Sequence, residues 1–328
     1  MHCSISDGIF KFWETNRSEK LHYYPKKISI EPGNICNLRC PLCPTNDKEN
    51  RHVPKQMMSL DSFKIIFDKI KPFVLTLDLF NWGEPFLNKD IGLFVKYVKE
   101  QKPKVRIIID SNFNIVTDEQ IDQIVRYGLD VIHVSCDGAT QKIYEQYRVG
   151  GNIATVMENM KKLVAKKKEL NRSLPYVEWK YLVFKHNQQE VELAAAKAKE
   201  IGVGFSASGM RINCGKEIFE NITTSVERDK DWIPDDPAFN NYQQVSSEGR
   251  KFCPKPWRTM TVDWNGNVVP CGALYECEKY GFGNLLTQSF EEVWNSPKFR
   301  DARRVISGKK HEAPVICQVC KTNGYQYF

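Results

Sequence analysis

Between residue 27 and about residue 210 the chain alternates two hydrophobic rhythms. Short runs whose apolar residues crowd together or recur every second position predict strands at 27–31, 74–80, 105–110, 131–135, 177–184 and 203–209. Between them, apolar residues spaced three and four apart predict helices from Ser59 through Ile70 and over roughly 90–101, 117–127, 152–169 and 188–201. Ser59 suits an N-cap, and Thr117 with Gln120 three residues later fits a capping box. Six strand–helix repeats imply a parallel sheet with right-handed crossovers, hence an α/β barrel or part of one. Ligands of such a barrel gather at the C-terminal ends of its strands.

The pattern changes on either side of this region. Residues 1–26 scatter Phe10, Phe12, Trp13, Tyr23 and Tyr24 among charges and are expected to form an N-terminal cap. Residues 211–252 are polar and too long for an ordinary loop, which makes them a connector or lid and a domain boundary. Beyond it, Thr259–Asp263 and Val268–Val269 alternate like two short strands around Asn265-Gly266, a hairpin signal. An amphipathic run over 289–299 follows.

Composition narrows the class. A chain of 328 residues suits one large domain, 27–210, and a smaller one, 253–328. With 41% hydrophobic and 27% charged residues it has the make-up of a globular protein. The formal charge of +7 is spread over interspersed acids and bases. It suits an anionic substrate or a reductase partner, and equally a solvated surface. No aromatic–basic platform points to nucleic acid, and no stretch reaches the length of a membrane span. With no signal-peptide pattern at its start, the expected location is cytoplasmic. Eleven cysteines in such a chain argue for metal or redox use over disulfides.

Their spacing carries the chemistry. Cys36, Cys40 and Cys43 stand at C-x3-C-x2-C directly after the first strand. Thiolates are soft ligands suited to iron–sulfur clusters, and three of them leave one iron of a [4Fe–4S] cluster open to a small molecule. A zinc site or three unrelated thiols is the alternative. The spacing, with Leu42 at its apolar position, resembles the cluster loop of the radical S-adenosylmethionine (SAM) superfamily. That resemblance implies a partial (β/α)6 TIM barrel, open on one side, with the amino and carboxylate groups of SAM on the open iron.

It also implies roles for residues at the strand ends. Asn81-Trp-Gly-Glu-Pro85 is similar to the family's Gly-Gly-Glu-Pro, with Trp82 in place of the first glycine. Backbone groups there, beside Gly83 and Glu84, would hold the SAM amino group; a tight turn stiffened by Gly and Pro is the plain alternative. Asp110, Ser111 and Asn112 offer side chains for ribose hydroxyls. Ser135-Cys-Asp-Gly138 resembles an element of the branch with C-terminal auxiliary clusters, and Arg148 would clamp the SAM carboxylate.

Farther on, Cys253 and Cys271 flank the hairpin at C-x12-G-x4-C, and Cys317 and Cys320 form C-x2-C. Two plus two cysteines look like the twitch domain, the shortened relative of the SPASM domain, which carries one auxiliary [4Fe–4S] cluster. A four-cysteine zinc ribbon is the alternative, and Cys277 is left over. Cys3, Cys136 and Cys214 stand alone.

The family resemblance implies an enzyme that generates a 5′-deoxyadenosyl radical and abstracts hydrogen from its substrate. It also implies SAM, two clusters and a flavodoxin- or ferredoxin-type reductant. A fully ligated auxiliary cluster suits an electron acceptor. The expected function is therefore an oxidoreductase performing net two-electron oxidation of a small polar sugar, cyclitol or nucleoside, as in the family's twitch-containing alcohol dehydrogenases. A peptide-modifying maturase, a redox-neutral decarboxylase or epimerase, and a non-catalytic zinc protein are the competing readings. Asp137, Lys180, Lys185 and Arg258 are all conceivable as a base, and the sequence does not choose among them.

Overall fold

A computed structural model describes residues 17–211, 219, 222–242 and 252–322. Phe10, Phe12, Trp13, Cys3, Cys214 and much of the connector lie outside the described residues. All six expected barrel strands form: β1 (Lys27–Ile30), β2 (Thr76–Asp78), β3 (Arg106–Ser111), β4 (Val131–Ser135), β5 (Tyr176–Val183) and β6 (Gly204–Gly209). They lie in sequence order and pair in parallel throughout, the arrangement expected of a partial (β/α)6 barrel.

Strand alternation sorts the side chains. On β5, Val177, Trp179, Tyr181 and Val183 are buried against the helices, while Glu178, Lys180 and Leu182 face the half-exposed lumen. The helical layer follows the sequence rhythm closely. Ser59 caps helix Leu60–Ile70, and Thr117 and Gln120 close the capping box of Asp118–Arg126. Phe63 and Phe94 stack at 4.1 Å and lock helix Leu60–Ile70 to Ile91–Gln101. One short helix, Gln141–Tyr147, was not predicted; it buries only Tyr144 and Tyr147, too few positions to show a period.

The C-terminal hairpin forms where Asn265-Gly266 signals it, from β7 (Thr261–Val262) and β8 (Asn267–Val269). Gly266 takes φ +80, a conformation that side chains with a Cβ rarely adopt. A third strand, β9 (Gly283–Asn284), was not predicted. Instead of standing apart, β7 docks parallel to β1, with Glu31 N–H donating to the Val262 carbonyl at 2.8 Å. The sheet therefore runs β6-β5-β4-β3-β2-β1-β7-β8-β9. The amphipathic run near 289–299 splits at Pro297 into Phe290–Trp294 and Pro297–Ile306, because proline starts a helix better than it continues one.

Residues 17–24 run along this C-terminal unit. Trp257 and Trp294 donate indole N–H bonds to the Ser18 and Tyr23 carbonyls, and buried Arg303 donates to the Glu19 carbonyl. A single apolar cluster, including Ile28, Ile30, Trp257, Val262 and Trp294, spans the barrel and the C-terminal unit.

Candidate active site

The first cysteine loop leaves β1 and is fixed at several points. Arg39 N–H donates to the Val149 carbonyl, and Cys43 N–H turns back onto the Cys40 carbonyl. The Cys36 sulfur faces the Leu38 N–H at 3.5 Å and the Asn112 amide at 3.8 Å; the Cys40 sulfur lies 4.0 Å from the Arg148 guanidinium. Burial pushes the Cys36 thiol up to about 12 and Cys40 up to about 11, and mutual repulsion with Cys43 adds to both. Thiols this reluctant to ionise in isolation, yet facing N–H donors and one guanidinium, are suited to being deprotonated on metal. The donor set fits an iron–sulfur cluster.

The turn after β2 packs against this loop. Glu84 is buried and its carboxylate is fully engaged, accepting from Ser111 Oγ at 2.7 Å, Asn112 N–H at 2.8 Å and Phe86 N–H at 3.1 Å. Burial raises its carboxyl despite these donors. Of the three polar residues at the end of β3, Ser111 is thus spent on Glu84 and Asp110 on its lumen neighbours, while Asn112 reaches the loop through Asn37 at 2.9 Å. Gly83 lies against the backbone of Gly33, whose carbonyl oxygen would stand 1.9 Å from an added Cβ. Trp82 departs from the family pattern for a visible reason: its indole donates to the Leu274 carbonyl at 3.1 Å and its ring meets Tyr275 edge-on. It ties the turn to the C-terminal unit. Glu31 braces the same turn by accepting the Trp82 N–H at 2.9 Å.

Arg148 is anchored by Asp137, Nε to Oδ2 at 2.6 Å, and Asp137 has no exposed surface. Its other oxygen accepts the Leu182 N–H. Ser135 ends β4 in register with Lys180. A separate apolar cluster gathers Leu38, Cys40, Tyr147, Phe184, Met210 and Tyr242, with Leu42 and the connector's Val226 and Trp232 packed on it. The described part of the connector therefore lies over the cysteine loop. Lys185 pairs with Asp235 on the surface.

In the C-terminal unit, Cys253, Cys271, Cys317 and Cys320 line one small cavity with Pro256, Pro270, Leu274 and Ile316. Burial drives the Cys317 thiol well above its ordinary value, and the charges of Cys271, Cys253 and Cys320 push the same way. Four soft donors around an apolar space fit an iron–sulfur cluster. Cys277 points elsewhere, its thiol 3.6 Å from the Leu274 carbonyl. Among the described residues, no three His, Cys, Asp or Glu side chains meet at a single-ion site.

The lumen adds a group that sequence reasoning missed. Asp110 bonds His133 Nδ1 at 2.6 Å and Lys180 Nζ at 2.9 Å, and His133 Nε2 lies 3.6 Å from Glu178. The signal was present as acids and a histidine at alternate positions of otherwise apolar strands. It shows which face a residue takes but not which neighbour it meets.

This geometry, a six-stranded parallel barrel with three thiols at its mouth and four in an appended hairpin unit, defines an iron–sulfur enzyme of two parts. The family model of the radical SAM superfamily matches residues 30–175, and that of the SPASM iron–sulfur cluster-binding domain matches 253–321. The chain is a radical SAM enzyme with a C-terminal SPASM domain; its cofactors are SAM, a [4Fe–4S] cluster and auxiliary iron–sulfur binding. It is 23% identical to a tungsten-containing aldehyde ferredoxin oxidoreductase cofactor-modifying protein of Pyrococcus furiosus, over 90% of this chain and 87% of that one. It is 21% identical to the S-adenosyl-L-methionine-dependent 2-deoxy-scyllo-inosamine dehydrogenase of Niallia circulans, over 91% and 94%. Its fold resembles BtrN in complex with AdoMet and 2-DOIA (TM-score 0.54, 18% identity, 87% of this chain and 88% of that one). It also resembles Streptococcus suis SuiB bound to precursor peptide SuiA (TM-score 0.63, 15% identity, 90% and 70%). No helix among the described residues is long and apolar enough to cross a membrane.

Proposed function

We propose that this enzyme dehydrogenates a small polar molecule of the sugar, cyclitol or nucleoside type, a net two-electron oxidation. The observation that carries the reading is the convergence of Cys253, Cys271, Cys317 and Cys320 on one cavity. Four thiolates complete the coordination of a cubane cluster and leave no iron open, which suits electron acceptance better than substrate binding. When bound, a reduced [4Fe–4S] cluster with SAM supplies a radical that takes a hydrogen atom from an unactivated C–H bond, and the auxiliary cluster supplies a place for the remaining electron.

The chain's own residues then have separable tasks. Cys36, Cys40 and Cys43 would hold the first cluster; Leu42, Gly83, Glu84, Ser111, Asn112, Ser135 and Arg148 would line the SAM site. Glu84 and Asp137 act there as braces, since their carboxylates already bond Ser111, Asn112 and Arg148. A secondary alcohol that becomes a ketone loses one hydrogen atom, one electron and one proton. A lumen carboxylate, Asp110 or Glu178 beside His133, would receive that proton. Residues 211–252, with Trp232 against Tyr147 and Phe184, would keep water from the reacting centre. Residues 1–26 would serve as the N-terminal cap, of which Ser18, Glu19 and Tyr23 bond Trp257, Arg303 and Trp294, and a flavodoxin- or ferredoxin-type donor would reduce the first cluster.

Anaerobic reconstitution tests this. About eight irons per chain are expected, falling to about four in both a Cys36/Cys40/Cys43→Ala variant and a Cys253/Cys271/Cys317/Cys320→Ala variant. With SAM, reductant and a polyol panel, wild type should yield 5′-deoxyadenosine and a ketone in equal amounts. Zinc at the second site, or a product at the substrate's oxidation level, would overturn the dehydrogenase reading.

A further inference from the structure

We propose that the four-cysteine site of the C-terminal unit governs SAM binding at the first cysteine loop, with Trp82 as the positioning residue that joins the two; this rests on the reading that the turn Asn81–Pro85 lines the SAM site. The turn is built into both sites at once. Toward the first loop, Glu84 N–H donates at 2.8 Å to the carbonyl of Ile35, the residue before Cys36. Thr45, just past Cys43, donates its hydroxyl to the Trp82 carbonyl at 2.8 Å. Toward the second site, the Trp82 indole donates to the Leu274 carbonyl at 3.1 Å. Beside it, Asn81 Oδ1 packs so closely on Gly272, the residue after Cys271, that a Cβ there would stand 2.6 Å away.

The segment that the turn meets is irregular. Strand β8 ends at Val269 and the next helix starts at Cys277, so residues 270–276 form neither helix nor strand. Side-chain anchors therefore set its path. Two of them, Cys271 and Leu274, line the four-cysteine cavity, and Leu274 is 1% exposed. One segment is thus both a wall of the second site and the support of the turn. A cluster bonded to Cys271 fixes that wall covalently, whereas thiols without metal hold it by packing alone; metal binding orders the segments that carry its ligands. The β1–β7 pairing also joins the two units, but through backbone bonds of Ser29 and Glu31 with Met260 and Val262, none of which lines that cavity.

The residue at position 82 decides whether this order reaches the turn. A glycine there, as in the family pattern, would keep the bonds to Thr45 and Glu31, which use the backbone. It would lose the bond to Leu274 and the ring contact with Tyr275, which use the side chain. What tryptophan adds is a contact with the second unit. By linkage, the factor by which second-site metal tightens SAM is the factor by which SAM tightens that metal.

The test is the SAM dissociation constant, measured by calorimetry on anaerobically reconstituted protein with iron counted in each sample. Trp82→Phe should retain about eight irons and bind SAM at least about fivefold more weakly than wild type. The Cys253/Cys271/Cys317/Cys320→Ala variant, with about four irons, should lose at least as much. Combining the two should weaken SAM no further than the four-alanine change alone, because both cut one route. A combined loss equal to the product of the two would mean separate effects and overturn the proposal. Unchanged SAM affinity in Trp82→Phe would also overturn it, and decides alone if the four-alanine protein fails to fold. Gly83→Ala, inside the turn, distinguishes this inference from the reading beneath it. SAM affinity unmoved by Gly83→Ala would sink the assignment of the turn to SAM. A loss in Gly83→Ala with none in Trp82→Phe would sink the coupling and leave that assignment standing.

Discussion

Glu31 makes the stability of the enzyme fall with rising pH, and replacing it by glutamine removes that slope. The residue is 3% exposed at the end of β1. Burial raises its carboxyl from 4.5 to about 8, against N–H donors from Trp82 and Gly83 and the Asn81 side chain, and the Asp263 charge adds to the rise. The folded protein therefore holds this proton more tightly than the unfolded chain. The stabilisation is complete below about pH 4.5 and is lost as pH rises through about 8. Between about pH 6 and 8.5 the two titrations separate by a further ~2.5 kcal/mol, taking 1.36 kcal/mol per pH unit. For a chain of 328 residues, an unfolding entropy of about 2.1 cal/mol/K per residue turns this into a melting shift of about 4 °C. Glutamine keeps an oxygen for the Trp82 N–H and carries no charge. Anaerobic thermal melts of reconstituted wild type and Glu31→Gln across this range should converge at the acid end and separate at the alkaline end, the variant being more stable. Parallel curves would refute the reasoning, because they would mean that Glu31 is ionised in the folded state or titrates alike in both states.

Three further substitutions follow from contacts around the cysteine loop. Gly83→Ala puts a methyl 1.9 Å from the Gly33 carbonyl oxygen, which is backbone and cannot rotate away. It should cost about 1–3 kcal/mol in chemical denaturation and lower the iron retained at the first loop. Arg148→Gln strands Asp137 fully buried and should cost about 3–5 kcal/mol; adding Asp137→Asn should restore part of it, and a double variant no better than the single would refute the pairing. Trp82→Phe keeps the ring but loses the bond to Leu274, a loss of about 0.5–1.5 kcal/mol measurable by denaturant midpoint.

The local elements were legible because local physics sets them. Ser59 and Thr117 cap their helices where the sequence places them, and Asn265-Gly266 makes its hairpin, because caps and tight turns depend on residues within three or four positions. Six strands with intervening helices gave the parallel barrel for the same reason, crossover handedness leaving little choice of topology. The two cysteine sets stood out by their spacing, which pointed to soft-metal ligation, and folding brings Cys253, Cys271, Cys317 and Cys320 to one cavity.

What the chain could not disclose in one dimension was which distant groups meet. Trp82 looked like a departure from a glycine motif, and only folding brings Leu274 to its indole. Glu84 carried a ligand-like position, and the folded chain spends its carboxylate on Ser111 and Asn112. Asp110, His133 and Glu178 sit on three strands separated by helices, and they become neighbours because parallel pairing sets their register. The docking of β7 on β1 arises in the same way, from backbone hydrogen bonds that any residue but proline can make and that leave no mark in side-chain pattern. Sequence determined the elements and the kind of metal chemistry, because propensity and ligand type belong to residues. Tertiary structure decided the braces, the lumen and the joining of the two units, because distance and burial belong to pairs.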